Sequence, residues 1–119
     1  MNEYKRIFTL REAQALVPTV RDLTMAAVVR AERLAARIED LSPGEPRMLL
    51  ETQYNALVRG WASQITELGC EVKGLWLVDF DSGDGLYYCW HHPEETLEYF
   101  HHYDTGFADR RPLGPLMVS

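Results

Sequence analysis

The residues able to do chemistry are gathered at one end of the chain. All four histidines (His91, His92, His101 and His102) follow residue 69, as do Cys89 and nine of the thirteen aromatic residues. Residues 1–68 carry nine basic and nine acidic side chains, a net of zero, whereas residues 69–119 carry three basic and nine acidic, a net of −6. Cysteine, histidine and carboxylate are the ligand types of zinc and similar divalent ions. Asp79, Cys89, His101 and Asp104 are the set from which ligands would be drawn, with His91 and Glu98 as further donors. A metal held there would act as a Lewis acid or activate water. Spacing alone does not define the site: there is no CxxC pair and no HExxH. The Cys-x-His of Cys89 and His91 and the His-x-x-Asp of His101 and Asp104 recur often by chance. The plain structural reading is a cysteine packed as a small hydrophobe, solvated carboxylates and a histidine bonded to backbone.

Other chemistries are weaker. The acid-rich run Asp79 to Gly85 suggests calcium, but an EF-hand needs an acid at loop position 5 and Gly at 6. Here Gly83 and Asp84 stand in the reverse order, so a hairpin turn is expected. A nucleophilic Cys89 would need a lowered pKa and a base within reach, and no nucleophile elbow or third orienting residue is evident. Glu94 and Glu95 sit in a turn with nothing to raise their pKa for acid–base work. Arg110 could take an anion, but an internal pair with Asp104 or Glu94 is the expectation.

The elements that must position these residues follow from periodicity. Thr9 and Glu12 form a capping box that starts a short helix, and Pro18 is placed in the first turn of a second, longer one. Val20, Leu23, Ala27, Ala31, Leu34, Ile38 and Leu41 then give a helical seam at alternating threes and fours. Ser42 to Pro46 ends that helix. The next runs from about Arg47 to Leu68, with seam residues Leu50, Tyr54, Leu57, Trp61, Ile65 and Leu68, and Gly69 closes it. The period then changes to 2. Leu75–Phe80, Leu86–His91 and Thr96–His101 read as strands, joined by turns at Asp81–Gly85 and His92–Glu95. In the simplest registers one face collects Trp76, Val78, Phe80, Leu86, Tyr88, Trp90, Leu97, Tyr99 and His101, the core face. The other collects Leu75, Leu77, Asp79, Tyr87, Cys89, His91, Glu98 and Phe100, with Cys89 opposite Glu98. A one-residue slip would exchange the faces.

The segments EVKGLWLVDF (Glu71 to Phe80), YYCWHHPEE (Tyr87 to Glu95) and EYFHHYDTGFADRRPL (Glu98 to Leu113) resemble a bacterial family known as domain of unknown function 2203. The opening YKRIFTLREAQALVPTVRDL (Tyr4 to Leu23) is similar to that family's start. Its pattern falls here on Asp79, Cys89, Trp90, Glu94, His101, Gly106, Phe107 and Arg110. Pro93, Phe100 and Asp109 depart from it, standing where the family usually has Gly, Trp and Gly. No established activity comes with the resemblance.

The expected fold is α+β: a long antiparallel helical hairpin packed on a small three-stranded antiparallel β-sheet. At 119 residues one domain is expected, with the hairpin in 1–68, a β-meander in 69–102 and a C-terminal loop or arm in 103–119. A net charge of −6 argues against a nucleic-acid or anionic-membrane partner. The charged N-terminus lacks a signal-peptide core, so a cytoplasmic location is expected. Cys70 and Cys89 do not make a disulfide framework. Two functions remain: a small domain binding a divalent metal (zinc or similar) through the His/Asp/Cys cluster, or a metal-free protein-interaction or dimerisation module, with a homodimer built on the helical seam.

Overall fold

The computed structural model describes residues 5–114. Helix α1 (Leu10–Glu39) begins on the expected capping box: the Glu12 N–H donates to Thr9 Oγ1 at 3.1 Å and the Thr9 N–H donates to Glu12 Oε1 at 2.9 Å. It runs as one helix through Pro18, where two were expected. The reason is continuity of the buried face. Ala13 and Val17 before the proline lie on the same stripe as Val20, Thr24, Ala27 and Ala31 after it. Breaking the helix would expose one half of that stripe, which outweighs the single hydrogen bond proline removes. Helix α2 (Glu45–Glu67) packs antiparallel to α1. Gly69, in the left-handed region at φ 95°, turns the chain out of it, and a Cβ there would run into the Arg6 side chain at 2.5 Å. Inside the hairpin, the buried Trp61 indole N–H donates to Thr24 Oγ1 at 2.8 Å, which fixes the relative height of the helices. No helix of the described residues is long and apolar enough to cross a membrane.

Five strands follow as an antiparallel meander in the order β1-β2-β3-β4-β5, not three. They are β1 (Glu71–Gly74), β2 (Leu77–Asp81), β3 (Leu86–His91), β4 (Tyr99–His102) and β5 (Arg111–Pro112). The two additions are edge strands of four and two residues. With so little apolar content neither shows an alternating pattern, and pairing with a neighbour defines them. Residues expected to be a plain arm thus close the sheet: Phe107–Asp109 form a 3-10 turn and β5 pairs with β4. Residues 115–119 of that arm lie outside the described residues.

The register of β4 also differs from expectation. Cys89 pairs with Tyr99, not Glu98, and Tyr87 pairs with His101. The connection after β3 is longer than a four-residue turn. Its backbone is taken up by Trp90 Nε1–H donating to Glu94 O at 2.7 Å and by the His91 N–H donating to Glu94 Oε1 at 2.8 Å. Leu97 drops into the core before the strand begins. The slip moves Phe100 to the helix-facing side, with Val78, Phe80, Tyr88 and Trp90. It moves His101 and Tyr99 to the opposite face, with Asp79, Tyr87 and Cys89. Trp76, expected in a strand, instead turns the β1–β2 corner at φ 59° and sets its ring edge-on to Trp61 at 4.9 Å.

Candidate metal centre

The face of the sheet turned away from the helices carries the polar residues. Cross-strand pairing of Asp79 with Cys89 puts a carboxylate and a thiol side by side, and the Tyr87–His101 pair puts the imidazole one step along. The ligand atoms of Asp79, Cys89 and His101 all lie within 4.8 Å of one another. The three are 0%, 0% and 3% exposed, so groups of high hydration cost have been gathered where water does not satisfy them.

Each donor has a defined environment. His101 Nδ1 lies 2.8 Å from the His102 carbonyl oxygen, which can only accept, so Nδ1 carries a proton. His101 Nε2 lies 2.8 Å from Asp79 Oδ2, a hydrogen-bonding distance. The other carboxylate oxygen, Asp79 Oδ1, is buried without a hydrogen-bond partner. The Cys89 thiol is pushed up from its ordinary range by burial and then by the Asp79 carboxylate, against a smaller opposing pull from Arg110. A thiol so placed is a poor nucleophile.

A wider charge network surrounds the three. Lys73 Nζ bridges Asp79 Oδ2 and Glu71 Oε1, each at 3.6 Å, and sits 3.9 Å from the centre of the Tyr87 ring. Lys5 reaches Glu71 at 3.4 Å and Asp81 at 3.5 Å. The Tyr103 hydroxyl donates to Asp81 Oδ1 at 2.5 Å. Burial works to raise the Asp81 carboxyl, but Tyr103, the Gly83 N–H and Lys5 hold it below its ordinary value. Three carboxylates, Glu71, Asp79 and Asp81, therefore face two ammonium groups.

The sequence singled out more residues than converge. Asp104 is exposed in the turn after β4, outside the cluster. Glu98 is also exposed, and its carbonyl accepts the Leu113 N–H at 2.8 Å. His91 packs its ring on Phe107 at 5.0 Å. Glu94 forms a two-point ion pair with Arg110, at 3.1 and 2.8 Å. Arg110 is held between the Tyr99 and Phe107 rings at 4.2 Å from each. Of the alternatives open to Arg110, the internal pair with Glu94 is the one formed. Sequence reasoning passed over Glu71 and Lys73; it set Tyr87 on the face of Cys89 and Asp81 in a turn, with no role for either at the centre. The alternation of Glu71 with Lys73 was the available signal for a strand presenting both charges to one face.

Neither a search of curated proteins nor a search of solved structures found a match. A family model, that of the uncharacterized conserved protein DUF2203, matches residues 6–113. That span holds both helices, all five strands and every residue of the centre, so the chain belongs to the DUF2203 family.

Proposed function

We propose that this protein binds a divalent transition metal, zinc or one of similar preference, through Asp79, Cys89 and His101. The observation that carries this reading is the convergence of three different ligand types, from three adjacent strands, within 4.8 Å and out of water. Two details support it. The Nδ1–H contact to a backbone carbonyl is the outer hydrogen bond that leaves a metal-binding histidine's Nε2 lone pair free to coordinate. The unpartnered Asp79 Oδ1 gives the carboxylate unused acceptor capacity. Zinc bonds of about 2.0–2.3 Å in a tetrahedron place donors roughly 3.3–3.8 Å apart. Small side-chain shifts therefore suffice to close the set, with the Asp79–His101 contact opening as metal takes the proton's place. Three protein donors leave a fourth position, the arrangement of a site that can do more than staple strands.

The test is metal content by plasma mass spectrometry on untagged protein, purified without chelator and after zinc reconstitution. We expect close to one equivalent per chain. His101→Ala and Cys89→Ser should lose it, and Asp104→Ala should keep it. Absence of metal from reconstituted wild type overturns the reading and leaves a buried, proton-sharing carboxylate–imidazole pair. Because His101→Ala can destabilise the sheet, Cys89→Ser, a near-isosteric change, keeps the result decisive. Metal retained in folded Cys89→Ser removes Cys89 from the site.

A further inference from the structure

We infer that the helical hairpin is an interface with a second copy of this chain, packed antiparallel about a two-fold axis that passes close to Ala26 and Gly60. A groove of about 870 Å³ runs along the hairpin and is lined by residues of α1 and α2 alone. Most of its lining is small or apolar, including Leu23, Ala27, Leu57 and Trp61, with Arg30, Arg33, Gln53 and Gln64 as its polar members, and an added Cβ at Gly60 would meet nothing within 4 Å. That leaves room for another helix to approach closely.

The occupant is argued from charge. The Trp61–Thr24 hydrogen bond sets the helices so that Gly60 and Ala26 lie at nearly the same height. From that level, Arg30 lies four residues toward the hairpin tip and Asp22 four residues toward its base, on one stripe of α1. Arg33 lies seven residues toward the tip, and on α2 Glu67 lies seven residues beyond Gly60 toward the base. All four are exposed, and none is ion-paired among the described residues. The surface is thus basic at one end, acidic at the other and uncharged in the middle. A two-fold through the middle sets Arg30 against the partner's Asp22 and turns Arg33 toward the partner's Glu67. A surface that complements itself under this rotation is what an isologous dimer requires. Like charges would oppose one another in the parallel arrangement. The inference is independent of the metal reading.

The experiment is sedimentation velocity on the full chain and on two charge-reversed pairs, R30E/R33E and D22K/E67K. These positions are on the helix surface, and circular dichroism confirms that the helices persist. We expect wild type to be dimeric at micromolar concentration and each variant to dissociate at least about tenfold more readily, since it opposes like charges in both copies. An equimolar mixture of the two variants should recover the dimer, because every pairing across the axis is again opposite in sign. Monomeric wild type at high micromolar concentration overturns the inference and leaves the groove to some other helix. So does a dimer that survives unchanged in both variants, which would lie on another face.

Discussion

At the scale of single residues, the polar face of the sheet is expensive to build, and each buried charge has an identifiable partner. Asp81 illustrates the accounting. Burial opposes its ionised form, yet the Tyr103 hydroxyl, the Gly83 N–H and Lys5 together hold its carboxyl below the ordinary value of 3.8. A carboxyl depressed in the folded state binds its proton less readily there than when unfolded. It therefore contributes stability above the ordinary carboxylate range and loses it as pH falls through that value toward the folded one. Asp81→Asn should lower stability at neutral pH by about 1.5–3 kcal/mol, the worth of hydrogen bonds to a charged group. It should also flatten the decline on the acid side. Urea unfolding midpoints at neutral and at acid pH measure both effects; an unchanged acid limb would mean that Asp81 is not among the groups driving it.

At the scale of elements, α1 shows a local rule overridden by packing. Pro18 is exposed and lies inside a helix of 30 residues. It cannot donate to the carbonyl of Gln14, the ordinary partner of that position. Pro18→Ala restores a donor without touching the core. The expected gain is about 1–3 kcal/mol, within the cost ascribed to interior proline, read as a raised urea midpoint with an unchanged slope. A loss instead would show that the local geometry at Pro18 is needed to aim the helix N-terminus at the sheet. The β3–β4 connection works in the other direction. Its polar residues are used locally: Glu94 takes the His91 N–H, the Trp90 indole and Arg110. That joins the connection to the C-terminal arm and holds Arg110 over Tyr99, the cross-strand partner of Cys89.

At the scale of the whole molecule, the long hairpin gives the chain its 53 Å length, while the candidate centre sits on the far side of the sheet. The centre ties together β2, β3 and β4, the middle of the meander, so a metal bound there acts on the stability of the entire sheet. A ligand that binds only the folded state at about a hundredfold its dissociation constant adds about 2.7 kcal/mol. On the metal reading, zinc should raise the melting temperature of wild type by several degrees and chelator should reverse it. Cys89→Ser and His101→Ala should show no shift. A zinc effect that persists in both variants would place the ion elsewhere on the protein.

The sequence by itself determined the kinds of element, the start of α1 and the close of α2, and the half of the chain that carries the chemistry. These depend on contacts within a few residues: the capping box at Thr9 and Glu12, the helical seams, Gly69 at the end of α2, the alternation around Val78 and Trp90. It also marked Asp79, Cys89 and His101 as residues of interest by type. Their convergence was decided only in three dimensions. With the shorter connection expected from the sequence, His101 would have faced the core and Cys89 would have stood opposite Glu98. Leu97 and Phe100 both bury on the helix side, and that choice, made by packing across the sheet, set the register of β4. Side chains alternate faces along a strand, so a shift of one residue turned His101 toward Asp79. Edge strands β1 and β5 were equally illegible, because a strand of two or four residues is specified by the neighbour it pairs with rather than by its own pattern.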